Sequence, residues 1–421
     1  MRKLTRRRFL SHAAAAGAGM AIPYVVPSSV LGANGAVPPS ENIVMGFIGV
    51  GGMGGGHLGG CLGDHDVQVA AVCDVDEERR LNAQRRVGEG CAAYNDYREL
   101  LERTDIDAVV IATPDHWHTL TSIHACESGK DVYCEKPLTL TVREGREIVN
   151  AVRRYGRVYQ VGSQQRSARE FRFGCELVRS GYIGELRTIR VGIGRGPAGG
   201  NDPDADPPPG LDWNMWLGPA PWVPYNASRC PYNFRWFWDY SGGKMTDWGA
   251  HHNDIAQWGN GTSLSGPISV KGSGEFPTEG LYETCTRFEA RYKYANGVEL
   301  ICSTEGPGGC RFEGSTGWVH TDRGKLETDP PELKQVQLRP DDVHLYESGN
   351  HRRNWLDCIK TRQRPICDVE IGHRSVTVCH IGNIAIRIGR PLQWDPETER
   401  FVNDEAANRW LDKPYRAPWH L

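Results

Sequence analysis

The sequence predicts an α/β fold: a doubly wound parallel sheet, followed by an α+β domain with a largely antiparallel open sheet. Three observations carry this reading. Between Ile43 and Val161, short continuous apolar runs alternate with helical segments, as parallel strands covered on both faces do. Beyond Leu186 the runs instead alternate apolar and polar residues one by one, the mark of strands with a single covered face. The first apolar run also leads directly into a glycine-rich turn.

In chain order, Ile43–Ile48 reads as a buried strand, and Gly49-Val50-Gly51-Gly52-Met53-Gly54 opens a helix. Val67–Cys73 is the second strand and ends at Asp74. Glu77–Val87 reads as a helix, Ala92–Tyr94 as a short strand, Tyr97–Leu101 as a helix and Ala108–Ala112 as a buried strand. Leu120–Glu127 is a helix closed by Gly129, and Asp131–Cys134 is a strand. Thr141 and Glu144 have the spacing of a capping box, opening a helix that Gly156 ends before Val158–Val161. In the second part Leu186–Gly194 and Arg287–Tyr294 alternate, and Asn296-Gly297 is a hairpin turn into Val298–Thr304. Arg311–Glu313 and Trp318–Thr321 form a further hairpin through Gly314–Gly317. Gly194–Gly210, rich in Gly, Pro and Asp, is expected to be a mobile loop, and Trp355–Lys360 and Val369–Ile388 to be helices.

At 421 residues the chain is long enough for two cores, and the boundaries read as 1–36, 37–162 and 163–421. A net charge of −3 without a basic block gives no footprint for nucleic acid. The 13 cysteines show no CxxC pair or zinc spacing, so no metal site and no disulfide framework is expected. The exception to the even charge is Arg2–Arg8. Thr5-Arg6-Arg7-Arg8-Phe9-Leu10 precedes an Ala-rich apolar stretch, Ala13–Val26, that is too short and too broken by proline to be a membrane span. It resembles a twin-arginine export signal, so export to the periplasm is expected.

The glycine turn has a mechanical reading. Gly49 permits the tight turn, Gly51 lets a pyrophosphate approach the backbone, and Gly54 lets helix and strand pack closely. Gly52 and Met53 begin the helix whose N-terminus faces the phosphates. Asp74, twenty residues after Gly54, is placed for a ribose diol and would repel a 2′-phosphate. NAD is therefore favoured over NADP, although Arg79 and Arg80 keep the second open.

Three further segments can carry chemistry. Glu135-Lys136-Pro137 stands at the carboxyl end of a parallel strand, where Lys136 could hold a reacting oxygen or, alternatively, pair with Glu135 at the surface. In Thr246–Asp254, a helix starting near Thr246 would set Asp247 and His251 one turn apart on one face, a carboxylate orienting a general base. Capping by Asp247 is the plainer alternative, and His252 is a rival base turned away by its spacing. Thr113-Pro114-Asp115-His116-Trp117-His118 also lies on the ligand side, where His118 could approach the nicotinamide, or cap or pack. The aromatics of Trp213–Tyr240 suit a platform for sugar C–H faces, with Arg235 as a polar partner.

In their order and separation these residues resemble the glucose–fructose oxidoreductase/inositol dehydrogenase (Gfo/Idh/MocA) family over nearly all of the chain after the signal. The resemblance implies an N-terminal Rossmann domain binding NAD, and a C-terminal α/β domain whose open sheet makes oligomer contacts in a homodimer or homotetramer. It implies a cofactor set of Gly49, Gly51, Gly52, Met53, Gly54, Asp74, Thr113, Pro114, His118, Glu135 and Lys136, and Lys136, His251 and Asp247 as the catalytic group. Substrate contacts are expected from Trp117, Gln165, Arg166, Arg235, Trp236 and His252. Asp115 departs from the asparagine of many relatives, and the aromatic segment differs from the smaller polyol dehydrogenases. The expected activity is hydride transfer between a secondary hydroxyl of a sugar or sugar derivative and a tightly bound nicotinamide. A redox-assisted glycosidase, working by transient oxidation and elimination, is the alternative. A cofactor-stabilised binding protein is disfavoured by the acid–base set.

Overall fold

Six strands run parallel in one sheet: β1 (Ile43–Ile48), β2 (Val67–Cys73), β3 (Ala92–Tyr94), β4 (Ala108–Ile111), β5 (Asp131–Cys134) and β6 (Tyr159–Val161). The structure is a computed structural model that describes residues 41–421. The paired arginines and the apolar stretch read as a signal lie outside the described residues. Strand order is β3-β2-β1-β4-β5-β6, so the direction of winding reverses between β1 and β4. The intervening helices are α1 (Gly52–Cys61), α2 (Glu77–Val87), α3 (Tyr97–Leu101), α4 (His118–Glu127) and α5 (Val142–Tyr155). Every residue of β4 and β5 is buried, which explains their continuous apolar sequence.

The register of this sheet sets the site. Ile48 stands opposite both Cys73 and Ile111, Ile111 opposite Cys134, and Cys134 opposite Val161. Gly49, Asp74, Ala112, Glu135 and Gly162 therefore leave the sheet at one level, along its carboxyl edge. Ligands of open α/β sheets bind outside that edge, at the point where strand order reverses. The capping box of α5 forms in both directions: Thr141 Oγ1 accepts from the Glu144 N–H (3.2 Å), and the Glu144 carboxylate accepts from the Thr141 N–H (2.9 Å).

The second layer begins with α6 (Arg169–Arg179) and β7 (Leu186–Gly192). A short pair, β8 (Asp204–Ala205) with β9 (Tyr225–Asn226), brackets α7 (Trp213–Leu217) and gives Gly194–Gly210 a small anchor. The helical segment that follows is broken into α8 (Lys244–Asp247) and α9 (Gly249–Gly259). Then come β10 (Ser269–Glu275), β11 (Arg287–Lys293), β12 (Glu299–Ser303), β13 (Gly309–Gly314), β14 (Trp318–Asp322) and β15 (Lys325–Asp329). Helices α10 (His351–Thr361) and α11 (Val369–Ile388) and strands β16 (Leu392–Asp395) and β17 (Arg400–Phe401) follow. The nine-stranded sheet has the order β15-β14-β13-β7-β12-β11-β10-β16-β17. It is antiparallel except where β12 lies parallel to β7, a pairing that needs the long crossover through α8 and α9. Ile189, Val191, Phe288, Ala290, Tyr292, Leu300 and Phe312 fill its covered face. Charged residues occupy the other face, among them the Arg190–Glu313 and Arg291–Glu289 pairs.

Helix α11 is buried nearly all round because it packs against α5 on one side and β10 on the other. Helix α10 sends Trp355, Leu356 and Cys358 into the same cluster as Met45, Phe47 and Tyr133 of the first sheet. The chain beyond residue 163 thus supplies helices to both layers. No element is expected from the sequence at α6, β10, β15 or β16, and in β10 only Val270 is buried, so no apolar rhythm marks it. All thirteen cysteines are buried, unpaired thiols.

His351, at the start of α10, donates from Nε2 to the Val161 carbonyl (2.9 Å) and pairs through Nδ1 with the Ser167 hydroxyl (2.8 Å). Burial pushes its imidazole down to about 4, against a partial pull upward from that carbonyl, Glu135 and Asp254. The unfolded chain protonates histidine near an ordinary value of about 6.5. The stabilisation is then complete above that value and is lost as pH falls toward 4. Thermal melts are expected to drop across this window, and a His351→Gln variant is expected to flatten part of the slope; an unchanged slope would remove His351 from the acid response.

Candidate active site

At the carboxyl edge Gly49 turns the chain with φ +83°, where a Cβ would stand 2.7 Å from the Ala112 carbonyl oxygen. A Cβ on Gly54 would run into the Gly49 carbonyl. Helix α1 starts after Gly51 with no side-chain cap, and space is open beside Gly52. An uncapped helix start lined by glycine is an anion cradle. Asp74 closes the turn, accepting from the Val50 N–H (2.9 Å) and the Asp76 N–H (3.0 Å). Burial pushes its carboxyl up from the ordinary value, against the pull of these two N–H groups. Arg80 is spent on the Asp74 carbonyl and Asn95, whereas Arg79 lies over Gly51 and pairs with Asp76 (3.3 Å).

A cavity of about 390 Å³ runs from this cradle past Asp74, Thr113, Pro114 and Trp117 to Glu135 and Lys136. The Thr113 hydroxyl on its wall is buried without a partner. An uncapped helix start, an acid at the second strand end and an unpartnered buried hydroxyl together fit a dinucleotide. Leu211, Met215, Trp216, Cys230, Tyr232 and Phe234 form the opposite wall. The aromatic segment, read from sequence as a sugar platform, packs Trp213, Trp216, Phe237 and Tyr240 into a core of its own and covers this cavity. It is tied down by Glu77 N–H to Gly210 O (2.9 Å), Asp212 N–H to Val75 O (3.0 Å) and the Asn95 amide to Asp212 (2.9 Å). Of the other cavity contacts, Arg79 was singled out beside Asp74 and Tyr232 among the aromatics, whereas Asp76 and Cys230 had no signal in the sequence.

His118 does not turn its ring nitrogens into the cavity. Nδ1 lies 2.7 Å from the Pro137 carbonyl and Nε2 3.0 Å from the Thr113 carbonyl. Two acceptors demand two donors, which only the protonated ring supplies. Burial pushes the ring down, but Cys134, Asp115 and the Pro137 carbonyl outweigh it and bring it up to about 9. His118 is thus a strap between the two loops that border the cavity. Asp115 beneath it accepts from the Ser241 hydroxyl (2.5 Å), with burial pushing its carboxyl up.

Glu135 does not hold Lys136 at the surface. One carboxylate oxygen of Glu135 meets His57 Nε2 (2.8 Å) and the Gln164 amide (2.8 Å). Burial pushes this carboxyl up, yet His57, Lys136 and Gln164 hold it below its ordinary value. Lys136 Nζ instead reaches across the molecule to Asp247, donating to Oδ1 (2.9 Å) and to the backbone carbonyl (3.1 Å). Arg235, its guanidinium flanked by the Tyr232 and Phe234 rings, reaches the same Oδ1 at 3.3 Å. Burial raises the Asp247 carboxyl, but Lys136 and Arg235 hold it below its ordinary value, so it stays ionised.

The expected Asp247–His251 contact is not formed. The helix breaks at Trp248, and Lys136 and Arg235 take up the Asp247 carboxylate. The His251 imidazole makes no hydrogen bond among the described residues, and its Nδ1 is buried. Burial, reinforced by the charges of Lys136 and Arg323, holds its imidazole well below the ordinary histidine value. His252 stacks on Trp248 (6.0 Å, 20°), with Nε2 4.0 Å from Asp322.

The remaining expected substrate residues fall into different places. Trp117 lines the cavity but spends its indole N–H on the Met215 and Trp216 carbonyls. Trp236 is buried, with its carbonyl accepting from Glu283 and Thr284. Gln165 is buried with both amide atoms unpartnered. Arg166 forms a bidentate pair with Asp254 (2.7 and 2.8 Å), itself joined to the Ser375 hydroxyl (2.6 Å). At 2% and 0% side-chain exposure this pair is interior, so Arg166 is not free to meet a ligand. Arg166→Ala would leave the Asp254 carboxylate buried alone, at a cost of about 3–5 kcal/mol. Unfolding measurements are expected to show that loss; a fully stable variant with only raised KM would return Arg166 to the substrate.

Comparison with known proteins agrees with this architecture. Residues 43–163 match the model described as the oxidoreductase family, NAD-binding Rossmann fold, and residues 200–421 match its C-terminal alpha/beta domain. A curated relative, the alpha-N-acetylgalactosaminidase of Shewanella oneidensis, is 33% identical over 206 residues, covering 44% of this chain and 45% of that protein. The chain thus spans just under half the length of the curated relatives it matches. Among solved structures, the WlbA dehydrogenase of Bordetella pertussis, in complex with NADH and UDP-GlcNAcA, superposes with TM-score 0.62 at 19% identity, over 84% of this chain and 99% of that one. The aldose-aldose oxidoreductase of Caulobacter crescentus superposes with TM-score 0.63 at 18% identity, over 84% and 99%. With both domain models matched in order along one chain, the protein belongs to the Gfo/Idh/MocA oxidoreductase family.

Proposed function

We propose that the protein is an NAD-dependent oxidoreductase that moves a hydride between a secondary hydroxyl of a sugar or sugar derivative and a nicotinamide held in the cavity. The observation that carries this is the Lys136–Asp247 pair at the carboxyl edge of the parallel sheet, with the unpartnered imidazole of His251 near enough to feel the Lys136 charge. An ammonium has three N–H donors, and Asp247 takes two of those on Lys136. The third is available to the reacting oxygen, where it stabilises the charge that develops on it. Asp247, kept ionised by Lys136 and Arg235, aims that donor. His251, kept neutral, accepts the hydroxyl proton on its imidazole. The dinucleotide, when bound, supplies the hydride acceptor.

The redox-assisted glycosidase remains a second reading, favoured by the name of the S. oneidensis relative. There, transient oxidation of a ring hydroxyl acidifies the neighbouring C–H, the aglycone is eliminated, water adds and the ring is reduced again. The cover over the cavity suits either cycle, since a retained dinucleotide needs no free pool. Export by the twin-arginine route after cofactor loading, periplasmic residence and assembly as a homodimer or homotetramer complete the proposal.

Denatured pure protein is expected to release NAD, and the folded protein to show nicotinamide reduction on mixing with its sugar. Release of no nucleotide, or of NADP alone, would overturn the cofactor assignment. Lys136→Ala and His251→Ala are each expected to lower kcat by about 10²-fold or more. Cleavage of aryl glycosides without added NAD separates the second reading from the first. Because His251 is deprotonated well below its ordinary value, kcat/KM is expected to be level between about pH 6 and 8. An inflection near the ordinary histidine value would exclude His251 as the buried neutral base.

A further inference from the structure

We propose that the sugar bears an anionic group, a carboxylate or a sulfate ester, and that Lys244 and Arg323 on the Trp248 indole receive it. This rests on the oxidoreductase reading and names its substrate class. Trp248 occupies the break between α8 and α9, and its ring stands edge-on to His251 at 6.2 Å. Lys244 Nζ lies 5.5 Å and Arg323 Cζ 4.8 Å from the centre of that ring. The two cations come from separate elements, Lys244 from the first turn of α8 and Arg323 from the tip of the β14–β15 hairpin.

Neither cation has a carboxylate within ion-pair distance among the described residues, and neither side chain makes a hydrogen bond. Other cations of the region are matched: Arg235 by Asp247, Arg195 and Arg287 by Glu305. Asp322, adjacent in sequence, is engaged elsewhere: Oδ1 accepts the backbone N–H of Arg323 (2.8 Å) and faces His252 (4.0 Å). Around Trp248 and the Lys136–Asp247 pair stand Lys136, Arg235, Lys244 and Arg323, against Asp247, Asp322 and, on the Gly324 N–H of the same hairpin tip, Glu170. The dinucleotide phosphates are not the missing counter-charge, because neither Lys244 nor Arg323 lines the cavity that begins at the glycine cradle. A cation over an indole is held in place with its donors still available, and a guanidinium matches a carboxylate or sulfate with two parallel hydrogen bonds.

The test is calorimetric titration of the purified holoprotein at low salt. The probes are D-glucuronate and D-glucose 6-sulfate against D-glucose, and D-galacturonate and D-galactose 6-sulfate against D-galactose. At least one acid is expected to bind about tenfold or more tighter than its neutral parent. That ratio is expected to shrink in about 0.5 M sodium chloride. It is expected to fall to about one in Lys244→Gln/Arg323→Gln, with thermal melts reporting that the variant is folded. The acid that binds best distinguishes carboxylate from sulfate. Parity of acid and parent, binding of no acid, or a preference that survives the double substitution would each overturn the proposal. Reduction of the bound nucleotide is read separately in the same samples. If no sugar reduces it, the oxidoreductase reading falls, while the affinity ratio alone decides the anionic subsite.

Discussion

The contact between Lys136 and Asp247 joins residues 111 positions apart and ties the edge of the parallel sheet to the broken helix of the second layer. Both side chains are only 12% exposed, so each charge is costly without the other. Removing one partner of such a pair leaves an uncompensated charge and costs about 3–5 kcal/mol. Arg235 adds a second cation to the same carboxylate oxygen and is itself held between two rings. The arrangement fixes the Lys136 ammonium in direction as well as position, and a hydrogen-bond donor needs both to favour a transition state. Breaking the helix at Trp248 is the local cost of bringing the Asp247 carbonyl and carboxylate to one ammonium.

The cavity depends on the same closure from the other side. A glycine turn alone offers backbone donors to phosphate on an open edge. Here a second wall, from Leu211 to Phe234, is pinned to the ends of β2 and β3 through Val75, Glu77 and Asn95. The same wall carries Arg235 toward Asp247, so the segment that covers the cavity also supplies a partner to the Lys136–Asp247 pair.

The parts of the site legible in the sequence are those set by local pattern. The ends of β1, β2, β4 and β5 follow from apolar runs, and the glycine turn and Glu135-Lys136 follow from their places at those ends. The capping box at Thr141 is equally local, and both of its bonds form. Illegible were contacts decided by tertiary capture. Asp247 and His251 have the spacing of a same-face pair, but a distant lysine takes the carboxylate and the helix gives way. Arg166 reads as a free cation only until Asp254 is seen to enclose it. His118 reads as a possible ligand residue because nothing in Thr113–His118 announces that the Pro137 carbonyl will meet its Nδ1. The aromatic segment was visible as composition, yet its role as a wall depends on Gly210 and Asp212 pairing with Glu77 and Val75 far upstream.

The charge balance at His251 links these pieces. In the proposed reaction Lys136 would hold the reacting oxygen as a cation, and burial, with the charges of Lys136 and Arg323, makes the neighbouring imidazole a poor proton acceptor. A base so depressed is always in the correct form but has little drive to take a proton. An anion received by Lys244 and Arg323 would offset part of that repulsion. It would leave Lys136 paired to Asp247 while raising the proton affinity of His251. Full basicity would then appear only in the occupied site, where the hydroxyl to be deprotonated is in place. On that proposal, the unmatched cations on Trp248 would make substrate charge a component of the base.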